Sequence, residues 1–216
     1  MLFTSDVILA VFFAFALSAI LTPVLIPLLR KLKAQQTERE DGVKSHLEKA
    51  GTPTMGGIVI IAAYLGAGAL FAVRYPTTIP VLVLSLLFGI IGFVDDYLKV
   101  VKRKSDGLLP RQKMLCQIIV TTAFVIYLWI ADSSLLELML PFSGGYVLSG
   151  LWVKIIATPL AYLAIIGTVN GVNFTDGLDG LATSVTAVVS VFFIGVSTRL
   201  GGGISTAAGA MLGALL

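Results

Sequence analysis

The sequence predicts an all-α, polytopic integral membrane protein, and three observations carry that prediction. Of its 216 residues, 57% are hydrophobic and only 12% charged, with a mean hydropathy of +0.98, whereas a soluble domain carries about 25% charged residues. Apolar runs recur at Val7–Leu29, Gly56–Val73, Ile79–Val94, Met114–Ala131, Leu151–Val169 and Leu181–Thr198, close to the ~20 residues that cross hydrocarbon as a helix. Of 15 Lys and Arg, six lie at 30–49 and six at 99–113, the segregation expected of positive loops beside a membrane. Residues 1–216 are expected to form one transmembrane domain of six full spans and a seventh that is cut short.

The first run is 23 residues long, longer than the ~7–15-residue apolar region of a signal peptide. Its cations, Arg30, Lys31 and Lys33, follow it, which places the N-terminus outside. Pro23 and Pro27 are expected to kink this helix near its inner end. The third run is short alone and is expected to continue through Asp95-Asp96. Between the fourth and fifth, segment 132–150 carries Asp132, Glu137, Pro141 and Gly144-Gly145, which predict a short helix or hairpin at the surface. The seventh run begins at Ile204; its 13 residues rise only about 20 Å against a core of about 30 Å. A fragment of a longer protein is expected on that ground.

Alternation of the spans puts loops 30–55, 95–113 and 170–180 on one face, and their cations assign that face to the cytoplasm. Asp95, Asp96, Asp176, Asp179, twelve of the fifteen cations and the single His46 all fall there. Spans two, four and six start on the same side, so their N-terminal N–H groups and positive dipole ends face it, an arrangement that suits phosphate. The net charge of +3 reflects these loops, and no nucleic acid partner is expected. One Cys, Cys116, excludes an intrachain disulfide, and one His excludes a His-cluster metal site within these residues.

The chemistry-bearing residues fall in three stretches. Asn170-Gly-Val-Asn173-Phe-Thr-Asp176-Gly-Leu-Asp179-Gly180 holds two amides and two acids with no cation between two apolar runs, more polarity than a turn requires. Asp176 and Asp179 share a helix face if the sixth span starts near Thr175, and Thr175 or Asp176 then serves as its N-cap. Amides beside carboxylates suit a nucleobase or sugar. Asp95-Asp96 closes an almost uncharged helix; one carboxylate can take Mg²⁺ while the other holds a Lys or acts as base, against the plainer reading of a solvated helix end. Lys99, one turn past Asp96, can pair with that acid or reach a phosphate. Gly51-Thr-Pro-Thr54-Met-Gly56-Gly57 leads into span two, where Gly and Thr suit either an anion or a turn with its cap. Lys49 before it is a phosphate ligand or an ordinary positive-inside residue. The remaining cations of 99–113 are by default lipid anchors; Met114, Cys116 and Trp129 read as packing or lipid-facing.

Together, Ser45-His-Leu-Glu-Lys49-Ala-Gly-Thr-Pro-Thr54-Met-Gly-Gly57, Phe93-Val-Asp95-Asp96-Tyr-Leu-Lys99-Val-Val101 and the Asn170–Gly180 stretch resemble the bacterial phospho-N-acetylmuramoyl-pentapeptide transferase family (MraY). That family lies within the polyprenyl-phosphate N-acetylhexosamine-1-phosphate transferases. The resemblance implies a transferase of the bacterial inner membrane. Undecaprenyl phosphate attacks the sugar-linked phosphate of UDP-N-acetylmuramoyl-pentapeptide, giving lipid I and UMP, with Mg²⁺ as cofactor. It implies Asp95 and Asp96 as catalytic acids at the metal, with Asp95 the usual base candidate. Lys49, Thr54, Lys99, Lys113, Asn170, Asn173, Asp176 and Asp179 would bind substrate. It also implies ten helices, a further loop Asp and a His cluster beyond Leu216, so that this chain alone is expected to be inactive, its metal site incomplete. A homodimer stays open. The rival readings are a sibling transferase using another UDP-sugar, a transporter with an acidic vestibule, and a non-catalytic membrane scaffold. The acids at span ends on one side argue against the transporter.

Overall fold

The computed structural model describes residues 4–31, 55–100, 102, 107–131, 136–140, 142–197 and 203–216. The described residues form seven α-helices: α1 (Ser5–Lys31), α2 (Gly57–Ala72), α3 (Ile79–Val100), α4 (Pro110–Ala131), α5 (Leu151–Thr175), α6 (Leu181–Ser197) and α7 (Gly203–Leu215). A 3-10 turn at Pro76–Thr78 precedes α3, and β1 (Leu138–Met139) pairs antiparallel with β2 (Val147–Leu148). Among the described residues, four helical segments are long and apolar enough to cross a membrane: Ser5–Leu29, Pro76–Val100, Pro110–Ala131 and Leu151–Thr175. No more than 17% of any of their apolar windows is buried inside the protein, which leaves most of each helix for lipid. The protein is an all-α, multi-pass membrane protein. α2, α6 and α7 are apolar but shorter, at 16, 17 and 13 residues.

Several expected boundaries move. α1 continues through both Pro23 and Pro27. α3 runs past the acidic pair to Val100, as its short apolar run implied. The segment after α4 resolves as a hairpin, with Gly144 and Gly145 at positive φ in its turn. α5 extends six residues beyond Val169, to Thr175. Asn170 Nδ2 donates to Ile166 O (2.8 Å) and Thr175 Oγ1 to Gly171 O (2.9 Å), so these polar side chains bond back to the helix without ending it.

The contacts divide into two compact units, Met1–Pro110 with Thr183–Leu216, and Arg111–Ala182. In the first, α1, α2 and α7 enclose a core of Ala10, Ala14, Ala63, Tyr64, Ala67, Ala210 and Ala214, with Leu82 of α3. Small residues let membrane helices approach closely where no hydrophobic force drives them together. A Cβ on Gly213 would collide with the Val11 backbone, and one on Gly209 would lie 3.1 Å from Val7 O. Ser18 Oγ adds a hydrogen bond to Ala214 O (3.2 Å). These contacts make α1 and α7 parallel, whereas Gly66 against Leu17 with Tyr75 on Asp6, and Gly68 against Leu82 with Gly89 against Ile61, set α2 antiparallel to α1 and to α3. At the end of this unit where α1 starts, Asp6 accepts from Arg74 Nη1 (3.1 Å) and from the Tyr75 hydroxyl (2.6 Å). The hydrogen bond to Asp6 is the main reason the Tyr75 phenol is held above its ordinary value of 10.0.

In the second unit, α4 and α5 are antiparallel and joined by side-chain hydrogen bonds along their length. Trp129 Nε1 donates to Thr158 Oγ1 (2.9 Å) and the Tyr162 hydroxyl to Thr122 Oγ1 (2.7 Å). Lys154 Nζ lies 5.9 Å from the centre of a Trp129 ring, within cation–π range. Trp129 therefore joins two helices in addition to packing.

Candidate active site

Asp95 lies on the last turns of α3 and is 5% exposed. A carboxylate so placed needs partners, and both oxygens have one. Lys99 Nζ, one turn on, lies 2.8 Å from Oδ2, and the Leu108 N–H donates to Oδ1 at 2.9 Å. Lys99 therefore pairs with Asp95 at i, i+4, where its spacing from Asp96 had suggested the other acid. The chain reaches Leu108 through Gly107, whose φ is +60°. A Cβ there would stand 2.5 Å from Asp95 Oδ1 and 2.7 Å from Lys99 Cε. Glycine is required twice over, for the left-handed backbone and for the space.

Asp96 points elsewhere, since neighbours on a helix project about 100° apart. It is half-buried and lines the end of an apolar groove of about 480 Å³ between α2 and α3. Ile58, Ile61, Leu65, Leu86 and Phe93 form its walls. Among the described residues, a Cβ on Gly56 or Gly57, at the start of α2, would meet nothing within 4 Å. Lys49 and Thr54, like His46, lie outside the described residues.

In the second unit, the polar cluster forms where α4 begins and α5 ends. Lys113 Nζ donates to Asn173 Oδ1 (3.3 Å). One turn deeper, Asn170 Nδ2 donates to Gln117 Oε1 (2.8 Å) and Gln117 Nε2 donates to Asn170 Oδ1 (3.4 Å). Gln117 is 1% exposed. It was not among the residues singled out from sequence, although an amide inside an apolar run is the signal that marks it. Pro110 opens α4 and no acid occupies its first turn; Arg111 and Lys113 stand there beside the positive end of the helix dipole. Cations in that place lose by the dipole and favour a bound anion.

Asp176 and Asp179 occupy the turn between α5 and α6. Asp176 is the C-cap of α5, its N–H bonded to Val172 O (3.0 Å), and α6 begins only at Leu181. The expected N-cap at Thr175 or Asp176 is therefore absent, and the two acids do not share a helix face. Gly180, with φ +77°, reverses the chain into α6.

The residues thus supply, separately, a carboxylate fixed by main chain and lysine, a second carboxylate at the end of an apolar groove, and an amide–lysine cluster at a positive helix start. Among the described residues, no three His, Cys, Asp or Glu gather as a metal site.

Comparison with known proteins gives this constellation a family. Residues 78–216 match the model of glycosyl transferase family 4, and residues 49–61 match phospho-N-acetylmuramoyl-pentapeptide-transferase signature 1. A protein named phospho-N-acetylmuramoyl-pentapeptide-transferase from Acetivibrio thermocellus is 42% identical over 181 residues, covering 83% of this chain and 53% of its own length. One of the same name from Clostridioides difficile is 40% identical over 206 residues, 94% of this chain and 62% of that protein. The Bacillus subtilis protein of that name is 40% identical over 122 residues. The chain spans between half and two thirds of the length of the first two relatives. Since the matched region runs from the turn before α3 to Leu216 and takes in both the Asp95–Asp96 pair and the Asn170–Gly180 stretch, the chain belongs to glycosyl transferase family 4.

Proposed function

We propose that this chain contributes to the transfer of phospho-N-acetylmuramoyl-pentapeptide from its UDP-activated form to undecaprenyl phosphate, giving lipid I and UMP on the cytoplasmic face of the bacterial inner membrane. The observation that carries this reading is the pentapeptide-transferase signature at 49–61 on the same chain as the family match at 78–216. Relatives named for that activity, about 40% identical, support it.

The geometry suits the chemistry. An oxygen of the lipid phosphate forms a bond to the sugar-linked phosphorus, and the bond from that phosphorus to the UMP oxygen breaks. Both reactants are anions, so their repulsion must be offset before attack. Lys99 beside Asp95 supplies a fixed positive charge, and Arg111 and Lys113 supply more at the start of α4. The groove that ends at Asp96 fits an isoprenyl chain, with its phosphate at the polar end of α3. Asn173, Asp176 and Asp179 offer amide and carboxylate partners to the uridine. Asp96, at the end of the groove, is a hard oxygen donor, and Mg²⁺ takes one or two carboxylates alongside substrate phosphates and water, so Asp96 alone would suffice to hold that ion while Asp95 stays with Lys99 and the Leu108 N–H. When bound, Mg²⁺ would neutralise charge on the phosphates.

The test is complementation in a bacterium depleted of its own transferase, using the chain alone and the chain extended by the part of the Clostridioides difficile relative outside the match. Conversion of labelled UDP-N-acetylmuramoyl-pentapeptide to lipid by the extended protein, abolished by Asp96→Asn, is the expected result. Turnover of UDP-N-acetylglucosamine instead would replace this reading with the sibling transferase.

A further inference from the structure

We propose that Gln117 and Asn170 form a positioning brace that sets Lys113 and Asn173 for the nucleotide, so that Asn170 acts through its neighbours and not as a ligand. The role for the nucleotide rests on the function proposed above. The brace rests on the hydrogen bonds. Both protons of the Asn170 amide are committed, to Gln117 Oε1 and to Ile166 O, each at 2.8 Å, and its oxygen accepts from Gln117 Nε2. Three of its four hydrogen-bonding positions are therefore spent inside the helix pair.

Gln117 is held in turn. It is almost fully buried, and its backbone oxygen accepts from the buried Thr121 hydroxyl at 2.8 Å. A reciprocal amide pair between two helices fixes rotation as well as spacing, because a slip of one residue on either helix breaks both bonds. Lys113 precedes Gln117 by one turn, and Asn173 follows Asn170 by three residues. The brace thus sets the register that brings Lys113 Nζ to Asn173 Oδ1. A buried amide that loses its partner is costly, which keeps the pair closed.

The experiment compares wild type, Gln117→Leu, Asn170→Leu and the swap Gln117→Asn/Asn170→Gln, each as the full chain in detergent. UDP affinity and amide hydrogen exchange over 170–175 are measured. Either leucine substitution is expected to weaken UDP binding at least tenfold and to speed exchange over 170–175. The swap, which keeps two facing amides and the total side-chain length, is expected to restore both to within about threefold. Loss of affinity in Asn170→Leu with none in Gln117→Leu would make Asn170 a ligand and overturn the brace. A swap that exchanges like wild type yet binds UDP as weakly as Asn170→Leu overturns it equally. If wild type itself fails to bind UDP, the nucleotide reading fails, and hydrogen exchange alone decides the brace: unchanged exchange in Gln117→Leu sinks it.

Discussion

Gly107 and Gly144 have similar left-handed backbones, with φ +60° and +72°, but opposite surroundings. Among the described residues, an added Cβ at Gly144 meets nothing within 4 Å, while at Gly107 it meets Asp95 Oδ1 and Lys99 Cε. Alanine at either position carries the backbone cost of about 1–2 kcal/mol. Only at Gly107 must it also displace a carboxylate that the Leu108 N–H and Lys99 hold. Gly107→Ala is therefore expected to lower transfer by the extended protein at least tenfold, while Gly144→Ala loses comparable thermal stability and keeps its turnover. Equal turnover in the two variants would remove the Gly107 turn from the site. Nothing at sequence level marked Gly107, because its partner lies twelve residues back on a helix and the contact depends on how the chain returns. Asp95 and Asp96 were legible for the converse reason: two acids closing an uncharged helix conflict with the helix dipole by themselves.

At the scale of elements, hydropathy located each helix of the described residues but misjudged where the polar-ended ones stop. Val169 is the last residue of its apolar run, yet α5 continues to Thr175 because Asn170 and Thr175 satisfy carbonyls of their own helix. An apolar run measures the part of a helix that suits lipid, not the whole helix. Contacts between elements were less legible still: Trp129 with Thr158 and Gln117 with Asn170 join residues 29 and 53 apart, and no periodicity reports such pairings. The join between α1 and the α2–α3 turn has a consequence for pH. Tyr75 donates to Asp6, and that hydrogen bond, with some desolvation, raises its pKa above 10.0. A raised value means the fold favours the neutral phenol. The contact therefore contributes fully below about pH 10, the unfolded value, and is lost as pH rises through the higher folded one. The thermal midpoint of the detergent-solubilised chain is expected to fall in that alkaline range by more in wild type than in Tyr75→Phe, which has no proton there to lose. Identical alkaline profiles would show that the Tyr75–Asp6 contact adds no stability.

The molecule as a whole raises the matter of sidedness, which the helices alone do not assign. Within the first unit, α1, α2, α3 and α7 alternate so that Asp6, Tyr75 and Gly203 share one end and Asp95 and Asp96 the other. Within the second, Lys113 and Asn173 mark one end of the α4–α5 pair, and Trp129 with Thr158 marks the other. We propose the direction from charge: Lys and Arg crowd the loops at 30–49 and 99–113, and loops rich in them are retained in the cytoplasm as a rule. The lone Cys116 makes this testable. In a Cys116→Ala background, Lys102→Cys lies just past the end of α3, and Tyr146→Cys lies in the exposed turn of the hairpin. A membrane-impermeant maleimide applied to intact spheroplasts is expected to label position 146 and to reach position 102 only after the membrane is opened. Labelling of 102 from outside would turn the acid-bearing end of α3 away from the compartment that holds UDP-sugars, and a transferase acting on them there would be untenable.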